Sequence, residues 1–208
     1  MEFKPESLFT EYKPIENRIV RPESEFETHK QNIYLTLKTL LKLKNGFEQE
    51  PTKEQIATIY KLAEWLVGKY KSQSGILLSG SVGTGKTTLM QAFLRYYCFV
   101  YNKIINEFHA KTLPSEYKKR DEGIAYFYKR PIFIDDLGKE SAITADYGQK
   151  YDTWGDLFAI RYENKALTFA TANYQIETGF KEMYGNVIAD RMKEHFNVFE
   201  MTGESLRK

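Results

Sequence analysis

The segment from Gly80 to Thr87 combines the residue types needed to hold a polyphosphate. It reads Gly80-Ser81-Val82-Gly83-Thr84-Gly85-Lys86-Thr87, which fits the pattern G-x-x-x-x-G-K-[ST]. Glycines let the backbone curl so that successive N–H groups point at phosphate oxygens, while the lysine neutralises their charge. The threonine hydroxyl at the end of the pattern is suited to ligate Mg²⁺. We therefore predict that the stretch from Gly80 to Thr88 binds a nucleoside triphosphate with its metal ion.

Two adjacent carboxylates follow a second apolar run. The sequence Pro131-Ile132-Phe133-Ile134 leads directly into Asp135 and Asp136. Ligands of open α/β sheets bind beyond the carboxyl ends of the strands, so both acids are expected beside the phosphate-binding segment. We predict that Asp135 holds Mg²⁺ and that Asp136 polarises the attacking water. The alternative is that one of them caps the next helix.

A neutral amide ends a third apolar run. Asn173 follows the run Leu167–Ala172. Its side chain could hydrogen-bond the γ phosphate or the water that attacks it, which predicts a catalytic role. Asparagine is also common in turns after strands, so a turn residue is the alternative.

These polar residues require a sheet to bring them together. Short apolar runs lie at Gly75–Ser79, Pro131–Ile134, Leu167–Ala172 and Val198–Met201, with a weaker one near Ile104–His109. Helix-like sequences separate the runs. Buried strands that alternate with helices are typical of a parallel α/β sheet.

Two helices are predicted before the first strand. From Glu27 to Lys44, apolar residues recur at helical spacing until Asn45-Gly46 ends the pattern. The next helix is predicted at about 53–68, because Thr52 and Gln55 match a capping box and Gly68 suits a C-cap. Three prolines among the first 25 residues predict an extended arm.

Composition narrows the class of protein. With 208 residues the chain has room for one domain and an extension, and 42% hydrophobic with 28% charged residues excludes a disordered or collagen-like chain. A net charge of +2 by itself argues neither for nor against a polyanionic partner. The single cysteine, Cys98, excludes an internal disulfide or a cysteine-rich metal site. A polar start and no long apolar run lead us to expect a soluble cytoplasmic protein.

Four segments in this order resemble the AAA+ ATPases of the bacterial DnaC-type helicase-loader group. They are the phosphate loop, Ile134-Asp135-Asp136-Leu137-Gly138, Arg161-Tyr162 ahead of Thr171-Ala172-Asn173, and the ending from Asp190-Arg191-Met192 to Thr202-Gly203-Glu204-Ser205-Leu206-Arg207. The IstB-type transposition helper ATPase is a close relative of that group. The resemblance covers about residues 53–208.

The resemblance implies an α/β P-loop NTPase fold of the AAA+ type, a parallel sheet flanked by helices without a C-terminal lid domain. ATP and Mg²⁺ are the implied ligands, with nucleotide roles for Lys86, Thr87, Asp135, Asp136 and Asn173. Many AAA+ motors have glutamate where this chain has Asp136. We therefore expect slow, assembly-dependent hydrolysis of ATP to ADP and phosphate.

In the resembled family an arginine from a neighbouring subunit completes the site. Arg191 is the implied match, although the charged Lys193 and Glu194 beside it also suit a solvated helix face. Arg161 is the competitor. It follows Trp154 at i+7 on an otherwise apolar helical face, which indicates an internal ion pair or a subunit contact.

Two regions are candidates for partner binding. Residues 1–50 stand where the resembled loaders carry a helicase-binding segment, ahead of an ATPase domain at 51–208; the alternative is that they wrap their own core. Aromatic and basic side chains that could stack bases and pair phosphates of single-stranded DNA are Tyr96, Tyr97, Phe99, Tyr101, Lys103, Tyr117, Lys118, Lys119 and Arg120. Here the alternative is buried rings and a solvated basic face.

The leading expectation is a DNA-replication protein, an ATP-dependent loader of the replicative helicase. It would form a homo-oligomer on binding ATP, and would assemble on the helicase and on single-stranded DNA. A transposition helper ATPase, a P-loop kinase of small molecules and an ATP-gated scaffold without meaningful turnover are the alternatives.

Overall fold

Short apolar runs form a five-stranded sheet in the computed structural model. The structure describes residues 20–70, 74–119, 121–139, 144–146, 149–151, 153–174 and 176–206. In chain order its elements are α1 (Phe26–Asn45), α2 (Lys53–Leu66), β1 (Gly75–Gly80), α3 (Lys86–Tyr101), β2 (Asn106–His109), α4 (Leu113–Lys118), β3 (Ile132–Leu137), β4 (Thr144–Asp146), β5 (Gln149–Tyr151), α5 (Thr153–Glu163), β6 (Thr168–Ala172), α6 (Lys181–His195) and β7 (Phe196–Met201). Each of the five predicted strands is found.

The sheet has the strand order β2-β3-β6-β1-β7, and every neighbouring pair is parallel. Strand β6 therefore lies between β1 and β3: Leu77 of β1 and Ile134 of β3 both pair with Ala170. Because all five strands point the same way, their carboxyl ends share one edge of the sheet. The phosphate loop and Asn173 follow strands at that edge, and the paired acids lie within the last half of β3.

Strands β4 and β5 form a separate antiparallel pair that the sequence did not predict. Each has three residues. A run of that length is too short to display the alternation that identifies a strand.

The predicted capping box is confirmed at the start of α2. The N–H of Gln55 donates to Thr52 Oγ1 at 3.2 Å, and the N–H of Thr52 donates to Gln55 Oε1 at 2.9 Å. The helix ends at Leu66, two residues before Gly68, whose φ of +85° suits glycine. Ile56 and Tyr60, which the predicted apolar stripe included, are exposed.

Helix α1 is also confirmed, and it ends where Gly46 adopts a left-handed conformation. Its predicted apolar stripe is buried on α2, α3 and the sheet; the residues are Ile33, Leu37, Leu40 and Leu41. They belong to the same core as Phe169 of β6. The described part of the N-terminal region therefore packs on the domain that follows it, while residues 1–19 lie outside the described residues.

Two apolar cores cover the two faces of the sheet. Trp65 of α2 and Phe93 of α3 meet Phe169 on one face, with ring centroids about 6 Å apart. On the other face, Trp154 and Phe158 of α5 pack in a core that includes Leu77 and Ile134. Successive residues of one strand point to opposite faces, so β1 contributes to both cores. Within the described ranges, no helix is both long and apolar enough to cross a membrane.

Most aromatic rings of α3 are core residues. The buried ones are Phe93, Tyr96, Tyr97 and Tyr101. Phe99 is 86% exposed, and Lys119 forms a 2.9 Å ion pair with Glu116. The side chains of Tyr117 and Lys118, and the whole of Arg120, lie outside the described part of the chain. The buried rings match the alternative given for them, and binding of single-stranded DNA stays a prediction.

Arg161 lies inside the domain rather than at a surface. It is 1% exposed, and its guanidinium donates to the carbonyl oxygens of Leu167 at 2.8 Å and Arg130 at 3.0 Å. The guanidinium also donates to the Phe127 carbonyl. Two of its nitrogens donate to Thr168 Oγ1, at 2.9 and 3.0 Å. No carboxylate of the described residues lies within ion-pairing distance of it. Among the described residues, backbone carbonyls stand in place of the predicted ion pair, and the burial of the side chain argues against the predicted subunit contact.

His195, at the end of α6, shares this buried polar cluster. Its Nε2 atom lies 2.9 Å from Thr168 Oγ1. Burial, and to a smaller extent the nearby positive charge of Arg161, lower the pKa of His195 from 6.5 to about 3. The imidazole is therefore neutral in the folded protein at neutral pH.

This burial predicts a pH-dependent stability. Below pH 6.5 the unfolded chain protonates His195 and the folded chain does not, so the stability present above that pH is lost as the pH falls towards 3. Between pH 7.5 and pH 5 we expect this histidine to remove about 2 kcal/mol of the free energy of unfolding. Urea unfolding of wild type and His195→Gln at both pH values measures the difference. Equal pH dependence in the two proteins would contradict the prediction.

Candidate functional site

The predicted phosphate loop connects β1 to α3. It curls at Gly83 and Gly85, whose φ angles of +88° and +84° are in the left-handed region that favours glycine. The Thr84 hydroxyl donates to the Ser81 carbonyl at 3.0 Å and holds the turn. Helix α3 begins directly after the loop, at Lys86. The unpaired N–H groups of its first turn therefore point into the loop and favour an anion there.

Lys86 is held against the floor of the loop. Its ammonium donates to the carbonyl oxygens of Gly80 at 2.9 Å and Ser81 at 2.6 Å, and the residue is only 5% exposed. A positive charge is thus placed among the backbone N–H groups of the loop. This combination suits a ligand of high negative charge.

Thr87 and Asp135 meet at the expected metal position. The Thr87 hydroxyl donates to Asp135 Oδ1 at 2.7 Å, across the gap between α3 and β3. A hydroxyl and a carboxylate are hard oxygen ligands of the kind Mg²⁺ prefers. No group of three His, Cys, Asp or Glu side chains that could hold a metal is found among the described residues. These two residues fit Mg²⁺ if phosphate oxygens and water supply its other ligands.

Asp135 is fixed by a residue to which the sequence analysis assigned no role. Thr171 of β6 donates its hydroxyl to Asp135 Oδ1 at 2.5 Å and accepts the N–H of Asp136 at 3.0 Å. This contact exists because β6 lies beside β3. Thr171 is therefore a positioning residue for both acids, and no local motif in the sequence indicates it.

Asp136 has a backbone conformation that is uncommon outside glycine. Its φ is +56°, at a point where the pairing of β3 with β6 is irregular. Its carboxylate lies 2.7 Å from Lys139 Nζ and 3.4 Å from His109 Nε2. Neither Lys139 nor His109 was predicted to belong to the site. His109 ends β2 and Lys139 follows β3 closely, so their positions after strand ends were the available signal.

The charges around Asp136 decide its protonation. Burial raises the pKa of the Asp136 carboxyl, but the hydrogen bond and charge of Lys139, with those of His109, outweigh burial and lower the pKa below its ordinary value. The carboxylate is therefore anionic at neutral pH. An anion at this place can accept a hydrogen bond from a water molecule and orient it.

Asn173 lies beside Asp136. Its Nδ2 atom donates to Asp136 Oδ1 over a long 3.4 Å, and both residues line the cavity above the phosphate loop. The order of the strands places Asn173 between the loop and the acids. Asn173 therefore lies at the same edge of the sheet as Asp136, and its catalytic role stays a prediction.

One cavity of about 250 Å³ joins these groups. Its lining residues are Leu41, Asn45, Gln49, Gln55, Val82, Gly83, Gly85, Lys86, Thr87, Thr88, Asp136, Asn173 and Leu206. The predicted loop residues Gly80, Ser81 and Thr84 shape the loop without lining this space. The end of α1, Gln55 of α2 and Leu206 were not predicted to reach the site. Their spacing in the sequence is not a recognisable motif.

The segment after β7 crosses the phosphate loop. The N–H of Leu206 donates to the Gly83 carbonyl at 2.9 Å. A Cβ on Gly83 would lie 2.1 Å from Ser205 Oγ, so the loop and this segment are in direct contact. Arg207, considered as a substitute for a lid arginine, lies outside the described residues.

Arg191 lies on α6, away from this cavity. Its side chain is partly buried, and its guanidinium carbon lies 5.8 Å from the centre of the Tyr162 ring of α5. It is not among the residues lining the site of its own chain. That location is compatible with a role in a neighbouring subunit, which stays a prediction.

Comparison with solved structures identifies the fold. The crystal structure of the DnaC helicase loader is similar with a TM-score of 0.58 and 19% identity over 76% of this chain and 94% of that one. The crystal structure of DnaI gives a TM-score of 0.54 and 21% identity over 76% of this chain and 88% of that one. The crystal structure of a putative primosome component from Streptococcus pyogenes serotype M3 gives a TM-score of 0.58 and 16% identity over 95% of this chain and 100% of that one.

The chain has the AAA+ P-loop fold. A parallel five-stranded sheet flanked by helices, with the phosphate loop after β1, agrees with the fold class expected from the sequence. The resemblance to DnaC-type helicase loaders is confirmed at the level of the fold. No protein-family model matches the sequence, and no curated protein matches it.

Proposed function

We propose that this protein is an ATPase that binds ATP with Mg²⁺ and loads a replicative helicase during DNA replication. One observation carries the nucleotide part of the proposal. The phosphate loop with the buried Lys86, the Asp136 carboxylate and the Asn173 amide line one cavity at the carboxyl edge of the sheet, and Asp135 is hydrogen-bonded to Thr87 of that lining. This arrangement suits hydrolysis of a triphosphate.

Each residue has a distinct task in the proposed reaction. Lys86 and the N–H groups of the loop bind the phosphates. Thr87 and Asp135 hold Mg²⁺, which when bound would neutralise charge on the β and γ phosphates. Asp136 orients the attacking water, and Asn173 donates its amide to that water or to the γ phosphate. Lys139 and His109 keep Asp136 anionic.

The proposed dependence of hydrolysis on assembly rests on Arg191. An arginine supplied by a neighbouring subunit stabilises the charge that develops on the γ phosphoryl group. The interior position of Arg161 leaves Arg191 as the candidate from the sequence analysis. Hydrolysis would then depend on the homo-oligomer, and the aspartate at position 136 would keep the turnover slow.

The helicase part of the proposal comes from the similar structures. One is the DnaC helicase loader and another is a putative primosome component. This chain covers 94% of the first structure and 100% of the second. Residues 1–50 remain the proposed helicase-binding region, and single-stranded DNA remains a proposed second partner.

The proposal is tested by mixing the protein with the replicative helicase of the same cell. Size-exclusion chromatography with light scattering in ATP and Mg²⁺ should show a complex that forms much less in ADP, and phosphate release should rise when it forms. Lys86→Ala, which should not bind ATP, is the matched control. Absence of a complex in every nucleotide state would overturn helicase loading. Stable capture of a transposase would instead support the function of a transposition helper. Transfer of phosphate to a small molecule would support the function of a kinase.

A further inference from the structure

Gln55 places a buried amide nitrogen in the wall of the nucleotide cavity. The residue is 1% exposed and lines the cavity, and among the residues that the structure describes its Nε2 has no hydrogen-bond acceptor. The carbonyl oxygen of the amide already has a hydrogen-bond partner, because Oε1 accepts the N–H of Thr52 in the capping box. The two ends cannot be exchanged, since an NH₂ group accepts no hydrogen bond.

The amide nitrogen lies against the phosphate loop. A Cβ on Gly85 would be 2.6 Å from Gln55 Nε2 and 3.4 Å from Leu206 Cδ1. The absence of a side chain at Gly85 is therefore what allows the amide to reach the loop. An unpaired buried donor is energetically unfavourable. A ligand that offers a hydrogen-bond acceptor at this point would therefore gain binding free energy by pairing with it.

The lining of the cavity combines two chemistries. Lys86, Thr87 and Asp136 suit phosphates and metal. Leu41, Val82 and Leu206 are apolar, and Leu206 lies near Gln55, since both side chains approach the Cβ position of Gly85. A flat base with an apolar face fits such a surface, while a phosphate does not.

We propose that Gln55 binds the base of the nucleotide, donating its Nε2 hydrogen to an unprotonated purine ring nitrogen. The capping box orients the donor, and Leu41 and Leu206 contact the faces of the base. This inference rests on the proposed binding of ATP. It assigns a specificity role to a residue of α2 that lies outside the phosphate-loop motif.

Gln55→Met tests the contact, because it removes the donor without adding a charge. Binding of ATP and of inorganic tripolyphosphate, both with Mg²⁺, is measured by calorimetry for wild type and variant. We expect the affinity for ATP to fall about 5-fold to 10-fold, as for one lost hydrogen bond, and the affinity for tripolyphosphate to stay within about 2-fold. Gln31→Met is the matched control. It makes the same change at an exposed position of α1 outside the cavity, and should leave both affinities unchanged.

The outcomes separate this inference from the proposed function. Unchanged ATP affinity in Gln55→Met, or an equal loss for ATP and tripolyphosphate, would overturn the base contact while leaving ATP binding intact. Failure of the wild-type protein to bind ATP would overturn both. If Gln55→Met does not fold, Gln55→Glu keeps the acceptor for Thr52. Its loss of ATP affinity must then exceed its loss of tripolyphosphate affinity, and equal losses would again overturn the contact.

Discussion

Replacing Lys86 with alanine is expected to lower the affinity for ATP by about 100-fold or more. The ammonium is 5% exposed and lies on the floor of the phosphate loop, so its charge is poorly screened by water. Loss of about two charge-assisted contacts to phosphate corresponds to roughly 3 kcal/mol or more of binding free energy. Titration with a fluorescent ATP analogue measures the change.

Lys181→Ala provides the control for the Lys86 experiment. Lys181 is an exposed lysine at the start of α6, so its removal makes the same change of charge outside the cavity. Circular dichroism establishes that both variants are folded. If Lys86→Ala binds the analogue within about 3-fold of wild type, the loop does not bind the triphosphate as proposed.

Replacing Asp136 with asparagine should lower ATP turnover by about 100-fold or more while leaving ATP affinity nearly unchanged. The change removes the anion that orients water, and general-base assistance typically contributes about 100-fold to 10,000-fold. Asparagine is the suitable replacement because it tolerates the φ of +56° at this position better than most residues. Phosphate release under saturating ATP, with the assembled protein, measures turnover.

Asp156→Asn serves as the control for this second variant, because Asp156 is an exposed acid on α5. A turnover of Asp136→Asn within about 3-fold of wild type would assign the water-orienting role to another residue. A large loss of ATP affinity would instead indicate that Asp136 contributes to binding. Either result would contradict the assigned role.

Local structure followed closely from the sequence. The capping box of Thr52 and Gln55, the buried stripe of α1 and the turn of the phosphate loop each depend on residues within a few positions of one another. Such patterns are set by the geometry of a helix or a turn and are visible without tertiary contacts. Strand β7 began two residues earlier than predicted, because Phe196 and Asn197 pair with β1.

Arg161 illustrates where the sequence was insufficient. Its position on an apolar helical face correctly indicated an unusual arginine, but the face alone could not reveal its partners. The carbonyl groups of Phe127, Arg130 and Leu167 come from other segments of the chain. Whether a buried cation is balanced by a carboxylate or by carbonyl dipoles depends on which segments pack around it.

The sequence by itself determined the ligand class expected at the site: a loop for phosphates, oxygen ligands for Mg²⁺ and polar residues at strand ends. Only the tertiary structure decided how these parts meet. By placing β6 between β1 and β3, it brought Thr171 to Asp135 and Asn173 to Asp136, and by packing α1 and α2 over the loop it added Gln55 to the cavity. The physical reason is that strand order follows from how the connections cross the sheet, which no local periodicity records.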